Sequence, residues 1–358
     1  MSDNRSDLRS VLADFGAKFS GDVVSDFGSP EEEYRSLVER SVPLLVPLLA
    51  TTPLKLTGED RVPFLHGQVS NDVVGLQEGG ANRALLLTHR GHAAADMTVV
   101  RRRDDLYTLV DGGRGPEVEA SFRRHIIFDQ VEIEDLTGVL TTLALLGEGA
   151  PDILASFGAV PDRGRLFEGE VAGVRVLVHR AARTGFAGFD IHLRISDLVA
   201  LIAGLLATGP RLAGEVALDC ARIEAGVPAA ATEAGEGVLP QEAGLMGAVS
   251  LKKGCYLGQE IMARIDARGR VQRGLAGVRL DRLPTFGMRE VTFQGRRVGL
   301  LGRTLNHPTF GPVGLAVLRH DIPVGTKLEV GETGLKRMRL PFRPNLRSDG
   351  RRGSSGSL

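Results

Sequence analysis

The sequence predicts an α+β fold in which strands and helices do not alternate as regular βαβ units. Three observations support this class. Strand-like runs follow one another in the first third of the chain, and a second set of strands and helices begins at about Leu136. From Val271 onward, short strand-like runs are broken by Gly and Pro, which is typical of a small barrel or sandwich. A chain of 358 residues is long enough for two or three such units.

The composition is that of a globular protein. Hydrophobic residues make 42% and charged residues 25% of the chain. The 44 basic residues balance 44 acidic ones, and Trp is absent, so we expect no direct nucleic-acid partner and no membrane attraction. The apolar run Val42 to Ala50 is too short to span a bilayer, and the first segment lacks the order of a secretory signal. Because two cysteines also fit a reducing compartment, we expect a cytoplasmic protein.

Residues 1–49 are predicted to form an N-terminal extension with one helix. Residues 1 to about 30 are polar and weakly periodic, so we expect them to be loosely held. Pro30 is followed by three glutamates, where a helix dipole favours acids, and the helix should end at about Arg40. Strand-like runs then occur at 54–57, 84–88, 94–101, 105–110 and 130–134, and helix-like runs start at about 58 and 116.

The second set of elements, from about residue 136, also combines strands and helices. It contains strand-like runs at 139–146, 174–178 and 189–193 and helix-like runs at 151–157 and 196–207. A helix is then predicted from Glu215 to Gly226, and its spacing places Cys220 on the apolar face as a core residue. Residues 343–358 turn basic and then rich in Gly and Ser, so we expect a disordered tail.

One stretch has an unusual density of constrained residue types. Its residues are Lys253, Gly254, Cys255, Tyr256, Leu257, Gly258, Gln259 and Glu260. Glycine tolerates positive φ and close backbone approach, so the two glycines predict a tight loop before a helix. Cys255 would precede the N-terminus of that helix and follow Lys252 and Lys253, surroundings that lower the pKa of a thiol. The alternative is a cysteine that fills a small apolar gap.

This stretch, KGCYLGQE, resembles the signature of the YgfZ-type proteins, which are folate-binding relatives of the T-protein, the aminomethyltransferase of glycine cleavage. Similar segments occur in the same order at residues 68–73 (QVSNDV), 221–228 (ARIEAGVP) and 269–273 (GRVQR). The resemblance extends from about Leu54 to about Leu340. It implies three domains around a central opening. The implied ranges are 50–135 with 213–265 as a split folate-binding domain, 136–212 as an α+β domain and 270–342 as a small β-barrel.

The resemblance also implies two acidic residues that contact tetrahydrofolate or a derivative of it. Asp96 corresponds to a T-protein aspartate beside the folate and could orient or protonate a folate nitrogen. Asp190 corresponds to a glutamate that holds the pterin ring, since two carboxylate oxygens can accept the parallel N–H groups of the pterin edge. Strand alternation alone instead predicts that both aspartates face solvent.

Two further residues that the resemblance singles out have two interpretations each. Arg222 could meet the glutamate tail of the folate or be solvated, and Asn71 could be a folate contact or an ordinary turn residue. Gln259 and Lys253 have no explanation from helical spacing, which favours a functional loop. Glu260 is predicted to pair with Arg264 on the surface of the helix.

Standard metal and phosphate motifs are absent from the sequence. His89-Arg90-Gly91-His92 is the nearest to a metal pair, but its glycine suggests a turn and no third ligand is evident. Two cysteines cannot supply the usual four thiolates of an iron–sulfur cluster. We therefore expect no metal site.

The leading hypothesis from the resemblance is a tetrahydrofolate-binding accessory protein for iron–sulfur cluster assembly or repair. Its partners would be iron–sulfur enzymes, including tRNA-modifying ones, or assembly proteins, and Cys255 would face the folate or a partner. The first alternative is a folate-dependent aminomethyl- or methyltransferase that uses Asp96; T-proteins lack the KGCYLGQE loop. The second is an interaction module that does not bind folate. Whether the chain is an enzyme is left open.

Overall fold

The computed structural model describes residues 2–269, 271–285 and 289–343. Their strands form a two-stranded hairpin, a five-stranded sheet, a six-stranded sheet and a closed six-stranded barrel. The predicted α+β class and C-terminal barrel are confirmed. In these ranges no helix is both long and apolar enough to cross a membrane. Arg270 lies outside the described residues. The predicted tail also lies outside them, except for its first residue, Arg343.

The N-terminal segment contains more structure than predicted. Its elements are α1 (Ser2–Asp14), β1 (Lys18–Ser20), β2 (Val23–Asp26), α2 (Pro30–Glu39) and β3 (Leu44–Pro47). Helix α2 starts where predicted, because the Ser29 side chain accepts a hydrogen bond from the Glu32 N–H. The prediction of one helix and a loose extension is wrong, since α1 buries Leu8 and Leu12 in a hydrophobic core with the six-stranded sheet.

The five-stranded sheet, called here the first sheet, comes from residues 52–135. Its strands are β4 (Thr52–Thr57), β5 (Gly80–Leu87), β6 (Ala93–Arg101), β7 (Leu106–Val110) and β8 (Glu132–Asp135). They are antiparallel in the order β5-β6-β7-β4-β8. Helices α3 (Arg61–Gln68) and α4 (Gly115–His125) cover one face, where Phe64 and Phe122 pack against Met97. The opposite face carries Leu85 and, directly across the ladder, Asp96.

The six-stranded sheet, called here the second sheet, has the order β10-β11-β12-β9-β3-β13. Its later elements are β9 (Leu140–Leu146), α5 (Ala150–Ala155), β10 (Leu166–Val171), β11 (Val174–Arg180), β12 (Gly188–Arg194), α6 (Leu198–Leu206) and β13 (Arg211–Leu212). Strand β10 was not predicted. Val178 and Ile191 face the core with α5 and α6. Strand alternation places His179, Asp190 and His192 on the opposite face.

The chain then returns towards the first sheet through α7 (Glu215–Ala225), α8 (Ala230–Glu233), α9 (Pro240–Ala243) and α10 (Gln259–Arg268). Residues in the range 230–262 pack on Leu85 and Leu87 of the first sheet. Helix α7 differs, because it packs against α2, β3 and the barrel. Cys220 is buried in that contact, which confirms it as a core residue.

The barrel closes the fold at the C-terminal end. Its strands are β14 (Arg273–Leu280), β15 (Glu290–Phe293), β16 (Arg296–His307), β17 (Gly311–Arg319), β18 (Lys327–Val330) and β19 (Thr333–Met338). Leu305, Val313 and Leu315 extend from it into the core around α7. The barrel and the second sheet therefore share one hydrophobic contact. The division into domains given above stays a prediction.

The two glycines of the KGCYLGQE stretch differ in whether a larger residue could replace them. Gly258 has φ of +81°, and a Cβ there would lie 2.5 Å from the Thr88 carbonyl oxygen. Gly254 has no such constraint, because the nearest atom to an added Cβ is His66 Nε2 at 3.9 Å. The predicted close approach is thus found at Gly258 alone of the two.

We predict that Gly258→Ala lowers the free energy of unfolding by about 2 kcal/mol or more, because it strains the backbone and forces the return segment away from Thr88. Gly254→Ala is the matched control and should change it by less than about 0.5 kcal/mol. Urea denaturation of both variants measures the difference. Equal stabilities would contradict the close approach at Gly258.

Candidate functional site

Asp96 is buried on β6 and does not face solvent, so the expectation from strand alternation is wrong. Its carboxylate accepts hydrogen bonds from Arg83 Nε at 2.9 Å and from Arg83 Nη2. Arg83 lies on the neighbouring strand β5, two residues before Leu85, the direct partner of Asp96. A diagonal position on the same face brings the two side chains into reach.

Asp190 is also buried, on β12, again against the alternation prediction. Arg183, in the loop between β11 and β12, donates to its carboxylate from Nε at 2.7 Å and from Nη2 at 2.6 Å. The same guanidinium donates to Asp111 at 3.1 and 3.2 Å. Asp111 follows β7 of the first sheet, so Arg183 connects the two sheets.

The two predicted folate aspartates are brought together by this arrangement. The Asp111 N–H donates to the Asp96 carbonyl at 3.0 Å, and Arg183 bridges the carboxylates of Asp111 and Asp190, so Asp111 connects the two aspartates. We call Arg83, Asp96, Asp111, Arg183 and Asp190 the aspartate–arginine junction. The sequence interpretation missed both arginines and Asp111. Arg83 is a charge in an apolar strand, the same signal that singled out Asp96, whereas Arg183 lies in a loop without periodicity.

Arg222 is buried on α7 and is neither solvated nor a member of the junction. It donates to Asp219 at 2.6 Å and to Glu233 at 2.9 Å, and Glu233 also accepts from the backbone N–H of Arg303. Burial alone would lower the pKa of the guanidinium, but the charges and hydrogen bonds of Asp219 and Glu233 outweigh it, and the pKa is raised. Arg222 therefore stabilises the contact between α7, α8 and the barrel.

Lys253 ties the KGCYLGQE stretch to the end of α3. Its buried ammonium donates to the carbonyl oxygens of His66, Val69 and Asn71, the second at 2.6 Å and the third at 3.3 Å. It also lies 4.7 Å from the centre of the Tyr256 ring. Burial lowers the pKa of Lys253 to about 8. The lysine that spacing could not explain thus has a role in packing.

The rest of the stretch divides into buried and exposed residues. Tyr256 is buried, and its N–H donates to the side-chain oxygen of Gln259 at 3.2 Å, so Gln259 closes the turn before α10. Cys255 and Gly254 are exposed, and α10 begins four residues after Cys255. Glu260 is exposed in the first turn of α10; its predicted partner Arg264 has a side chain outside the described set.

Asn71 has the hydrogen bonds of a turn residue. Its Oδ1 accepts from the N–H of the next residue, Asp72, at 2.9 Å, and its Nδ2 donates to the Arg83 carbonyl at 2.7 Å. Asn71 therefore supports the strand that carries Arg83.

Two buried histidines next to Asp190 were not singled out by the sequence. His179 pairs directly with Asp190 across the β11–β12 ladder, and His192 lies two residues further along β12. Burial, reinforced by His179 and Arg183, lowers the pKa of His192 well below its usual range. Among the described residues, neither His179 Nε2 nor His192 Nε2 has a hydrogen-bond partner.

Glu215, the first residue of α7, is a further acid near the junction. Burial raises its pKa to about 7, and the negative charges of Asp219 and Asp111 act in the same direction, whereas Arg183 opposes them. A carboxyl group that takes up and releases a proton at neutral pH is thus close to Arg183 and Asp111.

The sequence profile of the family described as GCVT N-terminal domain matches residues 45–253. Proteins named aminomethyltransferase are similar over almost their full lengths. That of Geobacillus kaustophilus is 29% identical over 357 residues, covering 95% of this chain and 97% of its own. That of Rubrobacter xylanophilus is 31% identical over 309 residues, covering 84% and 82%. That of Shouchella clausii is 30% identical over 300 residues, covering 80% and 81%.

A solved structure shows the same fold. The glycine cleavage system aminomethyltransferase T from Bartonella henselae superposes with a TM-score of 0.80 and covers 95% of this chain and 98% of its own, at 22% identity. The predicted T-protein-like architecture is therefore confirmed.

The leading hypothesis of an accessory protein for iron–sulfur cluster assembly is wrong, because the full-length relatives are aminomethyltransferases. That hypothesis depended on the KGCYLGQE stretch. Lys253, Tyr256, Gly258 and Gln259 have structural roles there, so their density is explained by packing. The comparisons favour the alternative of a folate-dependent aminomethyltransferase.

We predict that Lys253→Met lowers the free energy of unfolding by about 2 kcal/mol, because three carbonyl oxygens lose a buried donor. Lys252→Met is the matched control at an exposed neighbouring position and should change it by less than about 0.5 kcal/mol. Urea denaturation at pH 7 compares the two. A similar small effect in both variants would contradict the anchoring role of Lys253.

Glu215 should make the fold less stable as the pH rises from about 4.5 to about 7. In this window the unfolded chain has released the proton that the folded chain retains, so deprotonation favours unfolding. Glu215→Gln should therefore be about as stable as the wild type below pH 4.5 and more stable by about 2 kcal/mol above pH 7. Urea denaturation across this range, with exposed Glu59→Gln as the control, tests the prediction; parallel wild-type and Glu215→Gln curves would contradict it.

Proposed function

The chain belongs to the family of the GCVT N-terminal domain, and from this premise we propose that it is an aminomethyltransferase that uses tetrahydrofolate. The observation that carries the proposal is the extent of the similarity. The curated relatives named aminomethyltransferase match the N-terminal elements, both sheets and the barrel, and not only one domain. Tetrahydrofolate follows from the resemblance to the T-protein, with Asp96 and Asp190 as the residues that would hold it.

The aspartate–arginine junction fits a ligand that offers N–H groups. Each carboxylate oxygen has two lone pairs, and the arginines engage the oxygens of Asp96 and Asp190 from one side. The remaining lone pairs can accept from a pterin or a reduced folate nitrogen. Bound folate supplies the nitrogen that takes up the one-carbon group.

The pairing with Arg83 limits what Asp96 does. Both oxygens of the Asp96 carboxylate accept hydrogen bonds from the Arg83 guanidinium, so the pairing holds the carboxylate in place, where it can orient a folate nitrogen and stabilise positive charge. The resemblance implies that Asp96 either orients or protonates a folate nitrogen. The pairing of Asp96 with Arg83 supports orientation. Glu215, with a pKa of about 7, is the nearby group that can exchange a proton at neutral pH.

Cys255 differs from the aspartates of the junction in its exposure to solvent. Its thiol is exposed, as a group that contacts a second molecule has to be. We keep it as a candidate for contact with the protein that delivers the aminomethyl group. Arg222 and Asn71, which the resemblance also offered for folate, have structural partners that favour a supporting role.

We predict tetrahydrofolate-dependent ammonia release when the chain is combined with glycine and the other proteins of a glycine cleavage system. Asp96→Asn should lower kcat/KM at least about 100-fold, because the developing positive charge loses a carboxylate. Asp104→Asn, at an exposed position just after β6, should leave it unchanged.

Calorimetry with tetrahydrofolate separates binding from turnover. Asp190→Ala should weaken binding and Cys255→Ala should not. Binding by the wild type without ammonia release would overturn the transferase in favour of a folate-binding protein. If the wild type neither binds tetrahydrofolate nor releases ammonia, the alternative of an interaction module that does not bind folate would be favoured.

A further inference from the structure

A compact set of possible metal-ligand atoms lies on the face of the second sheet that is opposite α5 and α6. His179, Asp190 and His192 each offer one ligand atom, and these atoms all lie within 4.8 Å of one another. All three side chains are at least 97% buried. They come from two adjacent strands, so the ladder fixes their relative positions. The sequence analysis expected no metal site because this set forms only when β11 and β12 pair.

The hydrogen bonds of the two imidazoles bear on which ring nitrogen can bind a metal ion. His179 Nδ1 lies 3.1 Å from the Arg180 carbonyl oxygen, which can only accept, so the proton of the ring is on Nδ1 and Nε2 carries a lone pair. His192 Nδ1 lies 2.8 Å from the hydroxyl oxygen of Thr142, which can accept or donate; in the tautomer in which the hydroxyl accepts, His192 Nε2 also carries a lone pair. This is the outer contact that orients metal-binding histidines in other proteins.

Two buried imidazole nitrogens without partners need an explanation. Within residues 2–269, 271–285 and 289–343, no donor reaches His179 Nε2 or His192 Nε2, although each nitrogen is shielded from solvent. A buried acceptor without a partner costs about 1–3 kcal/mol. Asp190 Oδ2 lies 3.9 Å from His179 Nε2, and a carboxylate cannot donate to it.

The charge around the three residues favours a cation. Arg183 is the only guanidinium that the described contacts bring to Asp190, and it is shared with Asp111. Two carboxylates and one guanidinium leave one negative charge uncompensated. Arg183 also leaves the outer lone pair of Asp190 Oδ2 on the side of His179 available.

We propose that His179, His192 and Asp190 bind a divalent transition-metal ion, with Zn²⁺ as the best match. Two neutral imidazoles and one carboxylate are a known zinc ligand set, in which water takes the fourth position. Tetrahedral ligands of zinc lie about 3.4 Å apart, so the donors would close by about 1 Å through side-chain rotation. The proposal goes beyond the aminomethyltransferase function: the ion would take the free lone pair of Asp190 Oδ2, so a folate N–H would be accepted at Oδ1 alone. Its test contains no folate.

The experiment uses the full, untagged chain after treatment with EDTA and desalting. Titration with Zn²⁺ by calorimetry should give one site per chain, and Co²⁺ should give the visible absorption of a four-coordinate ion that Zn²⁺ displaces. His179→Gln and His192→Gln should each weaken Zn²⁺ binding at least tenfold. Thr142→Val keeps all three ligands and should weaken it by about tenfold through loss of ring orientation.

His89→Gln is the matched control, because His89 and His92 form the pair in the sequence that most resembles a metal site, and His89 is exposed. Near-ultraviolet circular dichroism checks the fold of each variant, and His179→Gln and Thr142→Val decide the question if His192→Gln unfolds. No stoichiometric Zn²⁺ binding by the wild type would overturn the proposal. Loss of binding in His89→Gln with retention in His179→Gln would also overturn it and assign the metal to the surface pair.

Discussion

The position of the two sheets relative to each other depends on the Arg183 guanidinium. It donates to Asp190 on the second sheet and to Asp111 at the end of a strand of the first sheet. Without this cation the buried carboxylate of Asp190 and the half-buried carboxylate of Asp111 would be left without a shared positive partner at the interface, which is costly in a low dielectric. Thr51 adds a hydrogen bond to Asp111 at 3.1 Å. One side chain thus decides how closely the sheets approach and where the site between them lies.

The signature stretch and the junction belong to one hydrogen-bonded system. Consecutive contacts link Lys253, Asn71, Arg83, Asp96, Asp111, Arg183 and Asp190. Each link is a direct hydrogen bond of 2.7–3.3 Å. Residues that are far apart in the chain therefore share a supporting framework, and resemblance of the KGCYLGQE stretch to a family signature reflects this framework as well as any chemistry.

The sequence predicted most strands and helices, because their periodicity is local, and it failed where a second layer covers a face. Alternation placed Asp96 and Asp190 in solvent, since nothing in the local pattern shows that the return segment and the facing sheet cover those faces. Arg183 lies in a loop without periodicity and becomes important only through two partners that are 7 and 72 residues away. Helix α1 was missed because its apolar residues are few, although Leu12 is fully buried.

The KGCYLGQE stretch shows why a dense motif does not identify its own function. Gly258 is required by the Thr88 carbonyl, Lys253 by three carbonyl oxygens, and Gln259 by the turn before α10. These constraints fix the shape of the loop whatever reaction the protein performs. Cys255 is exposed, so packing does not account for it, and it is the residue of the stretch where a function beyond structure has to be sought. The comparison over the whole chain, rather than the motif, therefore decides between the functional hypotheses.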